Sequence, residues 1–374
     1  MPKVSILMPA CNVENFLREC MDSVVNQTLK DIEIICLDDG SKDSTGNILD
    51  EYAAKDSRIK VIHKPNSGYG HSMNVGLDHA TGEYIGIIET DDFADPDMFE
   101  KLYITAKENN ADMIKSNYYK YKSKPEPRST FLEVLKPYER LYGKVFCPAD
   151  EMEVFHVRPC IWTGIYRREM LTEQNIRFTE TPGASYQDTS FAFKVWASAR
   201  RAVIVKDAYL HYRVDNENSS VKSAAKIFCL CDEYESTEKF LEERPGLKEK
   251  LSGLMTSLKY ESYNWNLKRL AFEFKYVFLM EMNRQFTEAR HSGILKEEYF
   301  TEENWFRVNQ IVDDMDGYFN EYCRDDLGKY ESVREMSSQL KKLEKKVNDL
   351  ENSTSLKVGR AVTSVPRKLK KIIK

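Results

Sequence analysis

Three apolar runs in the first hundred residues end in polar side chains that could bind a ligand. VSILMP (4–9) leads into Ala10, Cys11 and Asn12; IEIICL (32–37) leads into Asp38, Asp39, Gly40 and Ser41; EYIGII leads into Glu89, Thr90, Asp91 and Asp92. A near-continuous apolar run reads as a strand buried on both faces, and open α/β sheets bind ligands at the carboxyl ends of such strands. In a parallel sheet these ends line one edge, so their carboxylates can converge. Crowded carboxylates repel one another, and a divalent cation resolves the repulsion; hard oxygen ligands select Mg²⁺ or Mn²⁺. Asp91 is the acid expected to hold it, because an apolar run leads straight to it. Helix capping is the competing use of such side chains. Asp39, Ser41 and Asp43 could cap a helix near Thr45, and for Asp95, just before Pro96, a cap is the expectation. The stretch Asn66-Ser67-Gly68-Tyr69-Gly70-His71 follows the strand-like IKVIHK (59–64) and opens a helix. It has two glycines of a dinucleotide-binding loop, but Met73 stands in the third position, which argues against a nicotinamide site.

Elements that could position these groups alternate along the first 121 residues. Helical spacing appears in FLRECMDSVVNQT (16–28), TGNILDEYAAKD (45–56), HSMNVGLDHA (71–80) and PDMFEKLYITAKENN (96–110), and ADMIKSNYYKY (111–121) adds a strand. The pattern predicts an α/β domain with a mostly parallel sheet flanked by helices. Residues 122–160 lose the rhythm and suit loops and lids. IWTGIYR, SYQDTSFAFKVWASA and AVIVKDAYLHYR, between 161 and 213, restore a strand–helix–strand pattern. From 221 to 330 the chain reads as helical and aromatic. Tyr260, Tyr263, Trp265 and Trp305 read there first as core and second as an acceptor platform. Val333, Met336, Leu340, Leu343, Val347 and Leu350 step by three and four, the a/d spacing of a coiled coil. Such a helix could pack on its own protein or join two copies into a homo-oligomer. The end, LKVGRAVTSVPRKLKKIIK (356–374), has seven basic residues and no acid, and could lie on an anionic inner-membrane surface. The expected organisation is thus 1–220, 221–330 and 331–374.

Composition narrows the function class. The 374 residues are 41% hydrophobic and 31% charged, a globular balance, with length for two domains. A net charge of −5 disfavours nucleic acid as a partner. No apolar run approaches the length of a membrane span, and the short run before Pro9 reads as a strand rather than a signal peptide. Among eight cysteines the tightest spacing is the C-x-C of Cys229 and Cys231, so no zinc site is expected. Reduced thiols in a cytoplasmic protein, peripheral at the membrane face if the basic end binds there, are the expectation.

VSILMPACNVENFLRECMDSVVNQTLKDIEIICLDDGSKDST, then NSGYGHSMNVGLDHATGEYIGIIETDDFADPDMFEKL, then SYQDTSFAFKVW together resemble the family-two inverting glycosyltransferases of the GT-A fold. The resemblance covers roughly residues 1–215. It implies that Pro9, Ala10 and Asn12, with Asp38 or Asp39, hold the base and ribose of a sugar nucleotide. Asn66, Gly68 and His71 would belong to the donor loop, with His71 either in place of an arginine the family often has where Met73 stands or merely capping the helix start. ETDD would be the D-x-D element. Asp91 would bind the metal that bridges the two phosphates, helped by Asp92 or by Glu89, where the family usually has Asp. Gln187-Asp188 stands for a Glu-Asp pair, and Asp188 matches the catalytic base; preceding FAFKVW, it can also be an N-cap. Tyr186 and Gln187 would line an acceptor loop. Trp162 lies on the acceptor-side strand, where it could stack on a sugar or serve as core. In YLHYR (209–213), Arg213 would be a phosphate partner and His211 a metal or phosphate contact, or otherwise a strand histidine.

The resemblance therefore implies metal-dependent transfer of a sugar from a nucleotide donor, a UDP-sugar, to a glycan or lipid-linked acceptor hydroxyl, as in surface polysaccharide synthesis. The cofactor would be Mn²⁺ or Mg²⁺. The alternative is a non-catalytic nucleotide-sugar-binding or scaffold protein on the same fold, which the departures at Glu89 and Gln187 favour. A sugar-1-phosphate nucleotidyltransferase would show a Gly-rich basic first loop, and PACNVEN has neither feature.

Overall fold

The apolar runs are strands, and their burial follows the expected pattern. In a computed structural model, residues 1–132, 136–181, 183, 184, 186–216, 227–323 and 345 are described. They form two compact units, one from Met1 to Lys259 and one from Tyr260 on. The first unit opens with β1 (Val4–Ala10), α1 (Glu14–Val25), β2 (Ile32–Asp39), α2 (Thr45–Ala53), β3 (Ile59–Lys64), α3 (Tyr69–His79) and β4 (Tyr84–Ile87). Every residue of β1, β2 and β4 is buried, as strands covered on both faces require. Helix α1 lays Leu17, Cys20, Met21 and Val24 against them at i, i+3, i+4 and i+7. Each such side chain contributes about 1.5–3 kcal/mol of burial.

The unit continues with β5 (Phe93–Ala94), α4 (Met98–Glu108), β6 (Met113–Lys122), β7 (Arg128–Leu132), β8 (Val145–Phe146), β9 (Gly164–Arg167), α5 (Arg168–Glu173), α6 (Gln187–Ser198) and β10 (Ala202–Arg213). Sheet order is β3-β2-β1-β4-β9-β6-β10-β5, with β7 on β6 and β8 on β10. The block β3-β2-β1-β4 is parallel throughout, as is the pair β6–β10; β9 runs antiparallel between β4 and β6. This mixed sheet, parallel over β3-β2-β1-β4 and again at β6–β10 and flanked by helices, is the expected fold class. The 122–160 stretch is not all loop. It contains β7, which pairs antiparallel with β6 from Tyr118↔Leu132 to Lys122↔Arg128. Four of its five residues are exposed, so no apolar signal marked it.

The region after residue 226 is helical: α7 (Cys229–Glu242), α8 (Pro245–Arg269), α9 (Phe272–His291), α10 (Glu302–Asp313) and α11 (Met315–Tyr318). In the second unit, Tyr260 and Tyr263 are fully buried and pack on Phe286 and Phe278 with centroids 5.9 and 5.4 Å apart. Trp265 is not core; it is 46% exposed under the Arg269 guanidinium. The a/d-spaced stretch and the basic end lie outside the described residues, apart from Lys345. No helix among the described residues is long and apolar enough to cross a membrane.

Candidate active site

Register aligns the three strand ends. Ala10 is level with Asp38 across β1 and β2, and Leu7 with Ile87 across β1 and β4. The Thr90 hydroxyl donates to the Pro9 carbonyl (2.7 Å) and ties the ETDD segment to the end of β1. Asn12, in the left-handed region (φ 54°), receives no strand partner. Instead its N–H donates to the Ser41 hydroxyl (3.1 Å), and its side-chain oxygen accepts from the Lys42 N–H (2.8 Å). The Asn66 amide donates to the Asp39 carbonyl (2.9 Å). Asp39 accepts the N–H groups of Ser67 (2.8 Å) and Gly68 (3.0 Å) and pairs with Lys64. Asp38 accepts the Ser41 N–H (3.1 Å) and is bonded to His63 Nδ1 (2.8 Å), whose Nε2 meets Asp50 (3.0 Å). Burial pushes Asp38 up, but the Ser41 and His63 hydrogen bonds outweigh it and hold the carboxyl low. Pro9, Ala10, Asn12, Asp38, Asp39, Asn66 and Gly68 thus form one rim. Both its aspartates already hold the loops together.

The ETDD acids form a second cluster beside it. Asp91 accepts from the Asn216 side-chain amide (2.8 Å). Asp92 is 1% exposed; one oxygen accepts the Arg213 N–H (2.8 Å), and the other has no partner among the described residues. Burial, then the charge of Asp91, drives its carboxyl well above the ordinary range. Glu89 accepts from the Tyr69 hydroxyl (2.6 Å). Burial first, then the charges of Asp91 and Asp188, lift Glu89 to about 8 against that hydrogen bond. One carboxyl therefore senses both the D-x-D acid and the residue that matches the base.

Asp188 is the second residue of α6, after Tyr186 turns the chain in the left-handed region (φ 68°). Burial lifts its carboxyl to about 6, opposed first by Arg158, then by backbone N–H groups of the helix start and by Lys115. Its charge is felt in turn by Glu89, Tyr69, Lys115, Cys160 and Glu233. The segment before α6 is laid on the start of α3. The Tyr69 N–H donates to the Gly183 carbonyl (3.1 Å), and Glu180 accepts from Asn74 (2.8 Å) and is bonded to His71 (3.1 Å). Gly70 permits this approach; a Cβ there would stand 2.0 Å from the Thr179 carbonyl oxygen.

Several side chains expected to face ligands have other tasks. His211 stacks between Phe93 and Tyr119 (4.5 and 4.8 Å) and is bonded through Nδ1 to Ser129 (2.7 Å) and through Nε2 to Asp95 (3.1 Å). Both nitrogens are engaged, by Ser129 and Asp95, in the structure. Asp95 spends its carboxylate on that bond and not on a helix cap; Asp97 precedes α4 instead. Arg213 is buried beneath the ETDD segment, donating to the Asp91 carbonyl (2.9 Å) and pairing with Glu19, between the rings of Phe16 and Tyr121. It props the ETDD segment through these contacts. Trp162 is 7% exposed and stacked on Tyr212 (5.1 Å), the core alternative. Gln187, 2% exposed, donates to Thr181 (2.8 Å) and the Gly183 carbonyl (3.1 Å), bracing the acceptor-loop turn. Met73 is fully buried. Tyr69 and Asn216 join the site through their bonds to Glu89 and Asp91, and no spacing rule marks them.

The model of the family "Glycosyl transferase family 2" matches residues 5–201, more than half of the chain. The chain belongs to glycosyl transferase family 2. It is similar to "Uncharacterized glycosyltransferase EpsJ" of Bacillus subtilis, 34% identical over 58% of this chain and 62% of that protein. It is also similar to "Putative glycosyltransferase EpsH" of the same organism, 32% identical over 66% of this chain and 72% of that one. The chain thus spans less than two thirds of the length of EpsJ. Among solved structures, S. aureus TarS 1–349 in complex with UDP-GlcNAc superposes with a TM-score of 0.51 at 18% identity, over 82% of this chain and 90% of that one. That likeness is one of fold, and it agrees with a GT-A sheet for this family 2 member.

Proposed function

We propose that this family 2 member moves a sugar from a nucleotide donor to an acceptor hydroxyl by a single in-line displacement with inversion. The observation that carries the reading is the run of contacts from the ETDD segment to the loop before α6: Glu89 accepts from the Tyr69 hydroxyl (2.6 Å), and the Tyr69 N–H donates to the Gly183 carbonyl (3.1 Å), in the segment that leads to Asp188; it supports a common cleft for donor phosphates and base. The rim of Pro9, Ala10, Asn12, Asp38, Asp39, Asn66 and Gly68 would take the nucleoside. We take it as uridine, the nucleoside of the donor held by the fold relative TarS. Asp188 accepts the proton of the acceptor hydroxyl as its oxygen bonds to the anomeric carbon and the bond to the diphosphate breaks. Positioning of donor and acceptor supplies much of the rate.

Residues at the ETDD segment fit a divalent cation. Asp91 keeps a part-exposed carboxylate, and Asp92 carries an unpartnered buried oxygen beside it. No three His, Cys, Asp or Glu side chains close a cation cage among the described residues. An open site of one or two carboxylates is what Mg²⁺ or Mn²⁺ uses when substrate phosphates and water complete its shell. Asp91 would hold the ion, with Glu89 kept on Tyr69, and the ion would act as a Lewis acid on the departing diphosphate. The acceptor would be a glycan or a lipid-linked saccharide. Residues 1–220 would form the catalytic domain, 221–330 a helical domain, and 331–374 an association and membrane-contact tail.

A panel of UDP-sugars, assayed for metal-dependent hydrolysis with and without Mn²⁺, tests the reading. Asp188→Asn is expected to lower turnover about 10²- to 10⁴-fold. Equal turnover in the variant removes Asp188 as the base, and no turnover in the native protein overturns the reading and leaves a non-catalytic binding protein.

A further inference from the structure

The chain just beyond β10 has no part in the reading above. β10 ends at Arg213, level with Tyr121 of β6, and the pairing runs one step further: the Val214 N–H donates to the Tyr121 carbonyl (3.0 Å). Residues 213–216 then hold the ETDD segment. The Arg213 N–H donates to one Asp92 oxygen (2.8 Å), its Nε to the Asp91 carbonyl (2.9 Å), and the Asn216 side-chain amide to Asp91 Oδ2 (2.8 Å). Asp215, between these contacts, reaches the connection after β6 instead. Its Oδ2 accepts the Ser123 N–H (2.7 Å), the Ser123 hydroxyl (2.7 Å) and the Lys124 N–H (3.3 Å). Hydrogen bonds to an ionised carboxylate are roughly twice as strong as neutral ones, so this is a firm anchor for the residue that follows.

We propose that Asn216 is a positioning residue for the metal-binding carboxylate of Asp91, and that Asp215, clamped on Ser123 and Lys124, holds Asn216 in place. The amide takes one Asp91 oxygen and leaves the other, Oδ1, which has no hydrogen bond among the described residues, for a divalent cation. Outer hydrogen bonds of this kind fix the orientation of a ligating carboxylate. An amide donates without carrying charge. It therefore orients Asp91 and leaves the negative charge to the cation, where a lysine would neutralise it. The inference rests on Asp91 as the metal ligand.

Mn²⁺ binding to the full chain, read by electron paramagnetic resonance of the free ion with and without UDP, tests it. Asn216→Ala is expected to weaken binding about 10- to 100-fold. Asp215→Ala weakens it too, and the double variant binds as Asn216→Ala does, because Asp215 acts through Asn216. Ser123→Ala changes no charge, so its expected loss of about two- to tenfold separates the clamp from the loss of a negative charge near the ion. It also carries the test of the clamp where Asp215→Ala fails to fold. A fold defect would lower Tm in EDTA, whereas a positioning role leaves the Tm of Asn216→Ala and Ser123→Ala near that of the native protein. Unchanged or tighter Mn²⁺ binding by Asn216→Ala overturns the inference; tighter binding would make the amide a stand-in that the ion displaces. Losses that multiply in full in the double variant overturn the clamp. Native-like Mn²⁺ binding by Asp91→Asn, or none by the native protein, overturns the metal reading and the inference with it, whereas a loss in Asp91→Asn alone overturns only the inference.

Discussion

Burial lifts the Asp188 carboxyl to about 6, and a general base has to be ionised at its working pH. The two demands oppose each other in a definite direction. The folded carboxyl holds its proton more tightly than the unfolded chain does, so ionising it costs the fold stability. That cost is absent below about pH 4, grows between about 4 and 6, and is complete above about 6. Replacing Asp188 by Asn removes it. The expected result is an Asp188→Asn variant with a higher Tm than the native protein at pH 8 and an equal Tm at pH 4. Turnover of the native enzyme should rise with pH through about 6. A variant less stable at pH 8 would show that Asp188 serves the fold rather than the reaction. Asp91 was legible as a strand-end acid from the apolar run that leads to it, and Asp188 only through the family resemblance. The partners were not. That Arg213 would prop the Asp91 carbonyl, or that Tyr69 would reach Glu89, depends on which strands become neighbours, and sequence spacing does not carry that.

At the scale of elements, the site depends on how closely the segment 179–183 lies on α3. Gly70 makes the approach possible: an added Cβ would meet the Thr179 carbonyl oxygen at 2.0 Å and its carbon at 2.9 Å. Both are backbone atoms, so the segment itself must move. Gly70→Ala is expected to cost about 1–3 kcal/mol, a fall of about 2–4 °C in Tm per kcal/mol. It should also lower turnover, because the same segment leads into α6. Differential scanning fluorimetry beside the hydrolysis assay reads both; an unchanged Tm would mean that the segment is not held where the structure has it. The elements that were legible share a physical cause. β1, β2 and β4 are covered on both faces, so their sequences are apolar without interruption. β7 pairs along an exposed edge, its stability comes from backbone hydrogen bonds, and Arg128-Ser129-Thr130 looks like loop. Trp265 misled in the opposite sense: a helical aromatic reads as core until the packing of its neighbours is known.

Over the whole molecule the charge is unevenly placed. Seven of the 55 Lys and Arg residues fall within 356–374, which contains none of the 60 Asp and Glu. Taking those seven positive charges from a net charge of −5 leaves −12 on the preceding 355 residues. An anionic surface would therefore repel most of the chain and attract its end. Each basic residue near such a surface contributes about 1 kcal/mol, and the contribution is screened by salt. Val358, Val362, Val365, Leu369, Ile372 and Ile373 are interleaved with the charges and add apolar burial at the headgroup boundary. The full chain is thus expected to sediment with vesicles containing phosphatidylglycerol, not with purely zwitterionic ones, and to be released by raised salt. Replacing Lys368, Lys370 and Lys371 together by Glu changes the end by six charges and should abolish sedimentation. Because these residues lie far along the chain from Asp188 and the donor rim, hydrolysis of a soluble UDP-sugar should persist in that variant. Co-sedimentation unaffected by the triple substitution would remove the tail from any account of how the enzyme meets a lipid-linked acceptor, while leaving the cleft chemistry as it stands.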